Sequence, residues 1–361
     1  MPRLGVRLAG GLSLVFLLGF SVWAMAAAVS WARLVEPWPD PASLADIPGI
    51  PVSWPSSSPF APDDIGGGPE DAPPTTAIGR LYLPPGLHAA RSVPAVVLLH
   101  GSGGILGSRE LTYAPQLARM GVAALVVDSF GARRDRGTEY LDRILNITEM
   151  MILADAYSGL AFLAARPEID PRRIVLTGFS YGAMSTMYGL YAQVADKLMP
   201  PQSNGERLRF AGHVAFYGPC IARFDESRTT GAPLLMLIGG KDELVNQRRC
   251  AEVAGDLRRG GSQVDTIVYP DAVHQWDGAF APRLIGRNLT GCSLRVERDG
   301  TISDENTGLA MSGPFRRKII LGLCTLGARA YPIARDDRVR AQAAADYGRF
   351  LAAIFAAAPR P

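Results

Sequence analysis

The chain has 361 residues, of which 48% are hydrophobic and 20% are charged, a composition typical of a globular protein. This length fits one large α/β domain with additional segments, or two small domains. The formal net charge is only +3, and no stripe of lysine and arginine interleaves with aromatic residues. These features argue against a nucleic-acid partner.

The N-terminus has the pattern of an export sequence. Arg3 and Arg7 precede an uncharged run over residues 8–32. A basic start, an apolar middle and small residues at Ala24 and Ala26 are typical of a secretory signal. The run is also long enough to cross a bilayer as a helix. Residues 1–34 are therefore predicted to be a signal peptide or a retained membrane anchor. In either case the domain is exported, periplasmic or secreted, and in the second case it is attached to the membrane.

Residues 35–74 are rich in proline, glycine, serine and aspartate. Such a composition favours a linker or an irregular N-terminal wrap.

From residue 75 onward, apolar runs that predict strands alternate with helical patterns. Strands are predicted over residues 77–83, 93–99, 122–127, 174–177, 210–216, 234–238 and 264–269. Helices are predicted over residues 112–120, 140–165, 183–198 and 337–358. This alternation predicts an α/β domain over residues 75–361, with a mostly parallel central sheet and helices on both faces.

Residues 280–335 lie between the last predicted strand and the last helix, and they are too many for an unconstrained loop. The chain has an even set of cysteines without a CxxC pair, namely Cys220, Cys250, Cys292 and Cys324. We expect two disulfides, Cys220–Cys250 and Cys292–Cys324, because each would close one local region, the second within this insertion. Four unpaired thiols are the alternative. An oxidising compartment permits disulfides, and no histidine or cysteine has the spacing of a metal ligand, so no metal site is expected.

One serine stands between two glycines where a strand should turn into a helix. Gly178-Phe179-Ser180-Tyr181-Gly182 follows the apolar run and precedes a helical pattern. The sequence fits the G-x-S-x-G turn that exposes a nucleophilic serine above the edge of a sheet. The glycines are required because neighbouring chain passes too close for a side chain. Ser180 is therefore the predicted nucleophile.

A serine nucleophile needs a base, and the base needs a group to orient it. Of the two histidines after the serine, His213 falls within a predicted core strand, whereas His274 follows the last strand. His274 is the predicted base. Asp242, just past the predicted strand over residues 234–238, is the predicted acid, because α/β folds with this serine turn have the chain order serine, acid, histidine. Glu243 is a weaker candidate for the acid, and Asp128 is the reserve.

Hydrolysis of an acyl compound also needs amide donors for the developing oxyanion. The amide of Tyr181, directly after the nucleophile, is the first predicted donor. The second is expected from the loop after residues 93–99, where the amide of Ser102 is favoured and that of Gly103 is second. Phe130 and Trp276 are weak candidates for the wall of the substrate pocket, and Arg133 for a contact with a substrate carboxylate.

Together, the motifs VVLLHGSGG, VVDSFGARR, GFSYG, LIGGKDELV and VYPDAVHQWD resemble the α/β-hydrolase superfamily and, within it, the dienelactone hydrolase-like family. The resemblance extends from residue 75 to the C-terminus. It implies the α/β-hydrolase fold and hydrolysis of small carboxylic esters or lactones without a cofactor. The enzymes that give the family its name use a cysteine where this chain has Ser180, and they lack the exported N-terminus and the insertion. A serine peptidase and a non-catalytic binding domain of the same fold are the alternatives.

Overall fold

A computed structural model describes residues 31–86, 92–199, 201 and 207–357. The predicted signal or anchor lies almost entirely outside these residues. Within the described ranges, no single helix combines the length and the apolar composition of a membrane span, and one pair of helices, bent by 74°, meets that criterion only when the two are taken together.

Besides the helical residues 31–35, the described residues form thirteen strands and eight α-helices. The strands are β1 (Ile50–Ser57), β2 (Pro74–Tyr82), β3 (Val93–Leu99), β4 (Ala123–Val127), β5 (Ile169–Phe179), β6 (Gly212–Phe216), β7 (Ala222–Phe224), β8 (Leu234–Gly239), β9 (Val264–Tyr269), β10 (Arg283–Ile285), β11 (Leu294–Val296), β12 (Ile302–Asp304) and β13 (Tyr331–Ile333). The helices are α1 (Glu110–Arg119), α2 (Tyr140–Asn146), α3 (Glu149–Ala164), α4 (Tyr181–Tyr188), α5 (Ala192–Leu198), α6 (Gln247–Arg259), α7 (Pro314–Cys324) and α8 (Asp337–Ala356). Short 3₁₀ helices cover Pro41–Ser43 and Gly131–Arg136.

Eight strands form the central sheet, in the order β1-β2-β4-β3-β5-β6-β8-β9. The pairs β1–β2 and β2–β4 are antiparallel, and the remaining strands pair in parallel. Every residue of β3, β4, β6 and β8 is buried. Because successive side chains point to opposite faces, complete burial means that both faces of the sheet are covered. The predicted α/β-hydrolase fold is thus confirmed, with the carboxyl ends of the parallel strands at one edge.

The linker prediction is wrong for part of residues 35–74. β1 is the first strand of the central sheet and pairs along its whole length with β2. Its Trp54 is buried, and the indole N–H donates hydrogen bonds to the carbonyl oxygen of Asp155 and to Ser158 Oγ on α3. The prolines and serines that suggested a linker are compatible with this position, since an edge strand tolerates proline.

Two predicted helices are each divided in the structure. The pattern over residues 140–165 forms α2 and α3, which are bent by 74°. The bend occurs where the Thr148 side chain caps α3 by accepting a hydrogen bond from the amide of Met151. The pattern over residues 183–198 forms α4 and α5, separated at Gly189–Tyr191. In both cases the two helices are similarly apolar, so the sequence pattern did not reveal the break between them.

Residues 280–335 form a region with its own small sheets, which we call the insertion. Its β10 and β13 pair with each other, and its β11 pairs with β12 and, in parallel, with β7 of the main domain. Along the chain, helix α7 lies between β12 and β13. The two disulfides are Cys220–Cys250 and Cys292–Cys324, the pairs expected from the sequence. The second joins the start of the insertion to the end of α7.

Candidate active site

Ser180 lies at the sharp turn between β5 and α4. Its backbone has φ 52° and ψ −109°, a conformation that a residue with a side chain rarely adopts. The turn depends on the two glycines of the motif. A Cβ at Gly178 would lie 2.1 Å from the carbonyl oxygen of Gly182, and a Cβ at Gly182 would lie 2.5 Å from that of Leu99. Only glycine fits these positions, as the sequence pattern predicted.

The structure brings Ser180, His274 and Asp242 into one hydrogen-bonded chain. His274 Nε2 lies 2.9 Å from Ser180 Oγ, and His274 Nδ1 lies 2.7 Å from Asp242 Oδ2. All three side chains are buried. The three residues come from the ends of β5, β9 and β8, so the parallel sheet itself sets their separation.

Close backbone packing between the turns after β8 and β9 aligns the acid with the imidazole. A Cβ at Gly240 would lie 2.4 Å from the carbonyl oxygen of Pro270. The Lys241 amide donates to the carbonyl oxygen of Ala272 over 2.9 Å. The second carboxylate oxygen of Asp242 accepts a hydrogen bond of 2.9 Å from the amide of Leu244, which fixes the rotation of the carboxylate.

The loop after β3 reaches the same point. It makes a tight turn in which the amide of Gly104 donates to the carbonyl oxygen of Gly101 over 2.9 Å, with Ser102 and Gly103 at its centre. A Cβ at Gly101 would lie 3.4 Å from Ser180 Cβ, so the turn borders the serine. Tyr181 begins α4, and the first amides of a helix have no partner within the helix. The candidate oxyanion donors therefore flank Ser180.

Tyr217, which no sequence pattern indicated, packs against the imidazole of His274. Its ring packs edge-on against His274, with 4.8 Å between ring centroids, and its hydroxyl donates a hydrogen bond of 2.6 Å to Asp277 Oδ1. Burial raises the pKa of Tyr217 well above its usual range, so the phenol stays neutral and acts as a donor. Burial also raises the pKa of Asp277, against the lowering effects of Arg109 and of the Tyr217 hydroxyl.

Backbone strain also concentrates at this site. Within the described ranges, the non-glycine residues with positive φ are Ser180 (52°), Tyr217 (43°) and Gln275 (61°). They are the candidate nucleophile, the residue behind the imidazole and the residue that follows His274. Such strain persists where surrounding structure holds it, and it clusters at functional sites.

The insertion contributes two side chains that the sequence did not indicate. Tyr331 packs edge-on against His274, with 5.5 Å between ring centroids. Arg317 of α7 is buried and makes two hydrogen bonds of 3.0 Å to the carboxylate of Glu149, and its Nη2 also donates to the Tyr181 hydroxyl over 3.0 Å. Burial acts to lower the pKa of Arg317, but Glu149, Tyr181 and Tyr188 together outweigh it, and the pKa lies above its usual value. The insertion thus contacts both the imidazole of His274 and the start of α4.

Two of the three weak pocket predictions need correction. Arg133 is buried and makes hydrogen bonds of 2.6 and 2.9 Å to the carboxylate of Asp155, while its Nε donates to Ser58 Oγ, so its guanidinium is not available to a substrate. Trp276 is fully buried between Tyr217 and Tyr269, a core position.

The third, Phe130, lies near the site. Its ring centroid is 4.4 Å from that of His100 and 6.5 Å from that of Tyr181. Its role as a pocket wall remains a prediction.

The weaker candidates for the base and the acid have other partners or positions. His213 is buried in β6, with Nδ1 3.0 Å from the carbonyl oxygen of Thr186, and burial lowers its pKa to about 4. Asp128 accepts a hydrogen bond of 2.8 Å from the amide of Gly131 within its own turn. Glu243 is exposed.

A model of the Dienelactone hydrolase family matches residues 79–283, more than half of the chain, and this range includes Ser180, Asp242 and His274. The chain belongs to the dienelactone hydrolase family. Curated relatives include proteins named as candidate carboxymethylenebutenolidases, from Salmonella typhimurium (27% identical over 148 residues, 38% of this chain and 49% of the relative) and from Escherichia coli K12 (28% identical over 148 residues, with the same coverage). This dienelactone hydrolase family chain spans about half the length of those relatives.

Solved structures of similar fold include a candidate dienelactone hydrolase from Klebsiella pneumoniae, at 20% identity and a TM-score of 0.44, covering 63% of this chain and 88% of that one. Another is a thermophilic esterase from Thermogutta terrifontis, at 18% identity and a TM-score of 0.44, covering 55% of this chain and 80% of that one.

Proposed function

We propose that this member of the dienelactone hydrolase family is a serine hydrolase that cleaves carboxylic esters or lactones. The observation that carries the proposal is the unbroken hydrogen-bonded chain from Asp242 Oδ2 through the imidazole of His274 to Ser180 Oγ, with distances of 2.7 and 2.9 Å. A serine hydroxyl is a poor nucleophile unless a base of this kind takes its proton.

In the proposed mechanism, Ser180 Oγ attacks the carbonyl carbon of the substrate while His274 Nε2 accepts the hydroxyl proton. Asp242 accepts a hydrogen bond from Nδ1–H and stabilises the imidazolium that forms. The amides of Tyr181 and of Ser102 or Gly103 bind the oxyanion. The tetrahedral intermediate then expels the alkoxide, which receives the proton from Nε2, and an acyl group remains on Ser180.

Water completes the cycle by the same steps. His274 takes a proton from the water as its oxygen attacks the acyl carbonyl, and Ser180 leaves with that proton. With a lactone, the alcohol released in the first half remains part of the acyl group, so one product, a hydroxy acid, leaves. Family membership and the names of the relatives support lactones as a substrate class. No step in this scheme draws on a cofactor.

We also propose that the activity is exported. The basic and apolar pattern of residues 1–34 supports this location. So do the two disulfides, since such bonds persist mainly in oxidising compartments.

The test is the variant Ser180→Ala, assayed on p-nitrophenyl acetate and on small lactones. We expect kcat to fall by about 10⁴-fold or more, because the base is left without a nucleophile. A fluorophosphonate probe should label the wild-type chain and not the variant. Ser185→Ala is the matched control, because Ser185 lies on the same helix and its hydroxyl donates a hydrogen bond to the carbonyl oxygen of Tyr181.

Each alternative gives a different result. Labelling of Ser180 with turnover of peptides but not of esters or lactones would identify a peptidase. Absence of both labelling and turnover in the folded wild-type chain would contradict the proposal and favour a binding domain.

A further inference from the structure

The outer face of helix α7 is apolar. Phe315, Ile319, Leu323 and Leu326 are 76, 37, 49 and 79% exposed. The first three follow the spacing that places residues on one side of a helix, and Leu326 continues the row just past the helix end. We call these four residues the α7 face. Large apolar side chains of this number on one exposed face mark an interaction surface.

The opposite side of α7 fixes this orientation. Arg317 and Ile320 are buried there, and Cys324 is held by the disulfide to Cys292. Arg317 is anchored by its two hydrogen bonds to the carboxylate of Glu149. The helix therefore cannot turn its apolar side inward without breaking a buried ion pair, so the exposure of the α7 face is built into the fold.

Basic side chains border the α7 face. On a helical wheel, the exposed Arg316 and Lys318 fall on its two sides. Residues 306–335 contain five basic residues and no aspartate or glutamate, and two of the five form ion pairs outside this segment, Arg317 with Glu149 and Arg335 with Asp337. The neighbouring α2 exposes Tyr140 and Leu141 as well. Asp142 lies on α2 and Glu139 just before it, whereas the exposed charged side chains of α7, Arg316 and Lys318, are both basic.

An apolar face bordered by lysine and arginine is the pattern of a helix that lies in the surface of an anionic membrane. The apolar side chains enter the boundary of the acyl chains, and the long basic side chains extend to the headgroups. We propose that the α7 face is a docking surface for a lipid bilayer that carries anionic headgroups. The basic residues that border the α7 face favour an anionic lipid surface as its partner. The proposal does not depend on the hydrolase activity.

The proposal is tested with a fluorophore on α7, in the full-length chain. Leu323→Cys is labelled with an environment-sensitive dye, and Ala251→Cys, on the exposed side of α6, is the control position. The native cysteines are all in disulfides. The labelled proteins are mixed with vesicles of phosphatidylcholine alone or with phosphatidylglycerol, each containing a nitroxide-bearing lipid that quenches only dyes in contact with the bilayer. This readout reports the position of α7, whether or not residues 1–30 also hold the chain to the vesicle.

We expect the dye at position 323 to shift to the blue and to be quenched on vesicles with phosphatidylglycerol, while the dye at position 251 is not. The double change Arg316→Glu and Lys318→Glu should lower the docked fraction relative to the undocked one by at least about tenfold, since each basic residue near an anionic surface contributes to binding. An unchanged thermal unfolding curve would show that this variant is folded.

Three results would overturn the proposal. The dye at position 323 could remain in water on both kinds of vesicle. Both dyes could be quenched equally, which would indicate adsorption without orientation. The dye at position 323 could become buried without lipid as the protein concentration rises, in which case a second copy of the chain covers the α7 face. Ser180→Ala should dock as the wild type does, so the outcome is separate from that of the hydrolase test.

Discussion

Helix α3 holds two segments that lie outside the parallel part of the sheet, and it holds each by a buried ion pair. Asp155 binds Arg133, whose Nη2 also donates to the carbonyl oxygen of Ser57 at the end of β1. Glu149, less than two turns earlier, binds Arg317 of the insertion. The first pair fastens the N-terminal edge strand, and the second fastens α7.

The difference between the two pairs lies in what else they contact. The Arg133 guanidinium contacts Asp155, Ser57, Ser58 and Ser129, none of which is a member of the candidate triad or a candidate oxyanion donor. The Arg317 guanidinium contacts the hydroxyl of Tyr181, the residue whose amide is a candidate oxyanion donor. Two ion pairs of the same chemistry on one helix should therefore separate stability from catalysis.

The largest expected effect is that of Arg133→Met. It leaves the Asp155 carboxylate buried without its cation, so the free energy of unfolding should fall by about 3–5 kcal/mol. The kcat for p-nitrophenyl acetate should stay within about twofold, because the pair does not touch the site. Urea unfolding followed by circular dichroism measures the first quantity, and steady-state kinetics the second.

The control for this variant is the double change Arg133→Met with Asp155→Leu, which removes both charges. It should recover most of the lost stability, since replacing a whole buried ion pair by apolar groups is often close to neutral. A tenfold loss of kcat in the folded single variant would show that the two ion pairs do not differ as described.

Compared with Arg133→Met, the change Arg317→Met should lower the free energy of unfolding less and lower kcat more. Glu149 is slightly more exposed than Asp155, so we expect a loss of about 3 kcal/mol. With the contact from Arg317 to the Tyr181 hydroxyl lost, the hydrogen bond from that hydroxyl to the carbonyl oxygen of Ile147 alone positions the ring. We expect kcat to fall by about tenfold while KM changes less than threefold, because an oxyanion donor acts mainly in the transition state. Arg317→Lys keeps the charge with fewer hydrogen bonds and should recover part of kcat. A change confined to stability would show that Arg317 is a structural residue only.

Residues that a local pattern marks could be predicted from the sequence, whereas residues joined only by long-range contacts could not. The candidate triad follows from local patterns: apolar runs mark the strands, and the side chains that follow them must meet because parallel strands end at one edge. The predicted strand over residues 264–269 has the bounds of β9. Ser180 was found from five consecutive residues whose glycines have a steric reason that can be read locally.

The supporting residues could not be found in this way. Tyr217 and Asp277 are 60 residues apart, and Arg317 and Glu149 are 168 apart, so no local pattern joins them. Arg317 stands in an Arg-Arg-Lys run in which nothing distinguishes the buried arginine from its exposed neighbours. Long-range polar contacts depend on the tertiary packing that places them, and periodicity does not encode it.

The smallest effect concerns His213, in a part of the sheet that neither ion pair reaches. Its pKa is lowered by burial to about 4, so the folded chain keeps this imidazole neutral. The unfolded chain binds a proton near the ordinary value of about 6.5. Between these values the unfolded state holds more protons, so stability rises with pH and is lost as pH falls from about 6.5 towards 4. This group alone should remove about 2 kcal/mol between pH 7 and pH 5.

His213→Asn isolates that contribution, because its amide can still donate to the carbonyl oxygen of Thr186 but does not titrate. We expect the variant to be less stable than the wild type at pH 7, through lost packing, and the gap to narrow by about 2 kcal/mol at pH 5. Urea midpoints at the two pH values measure the difference, in which the titration of other groups cancels. A gap that stays constant with pH would mean that the imidazole of His213 is not held neutral by burial.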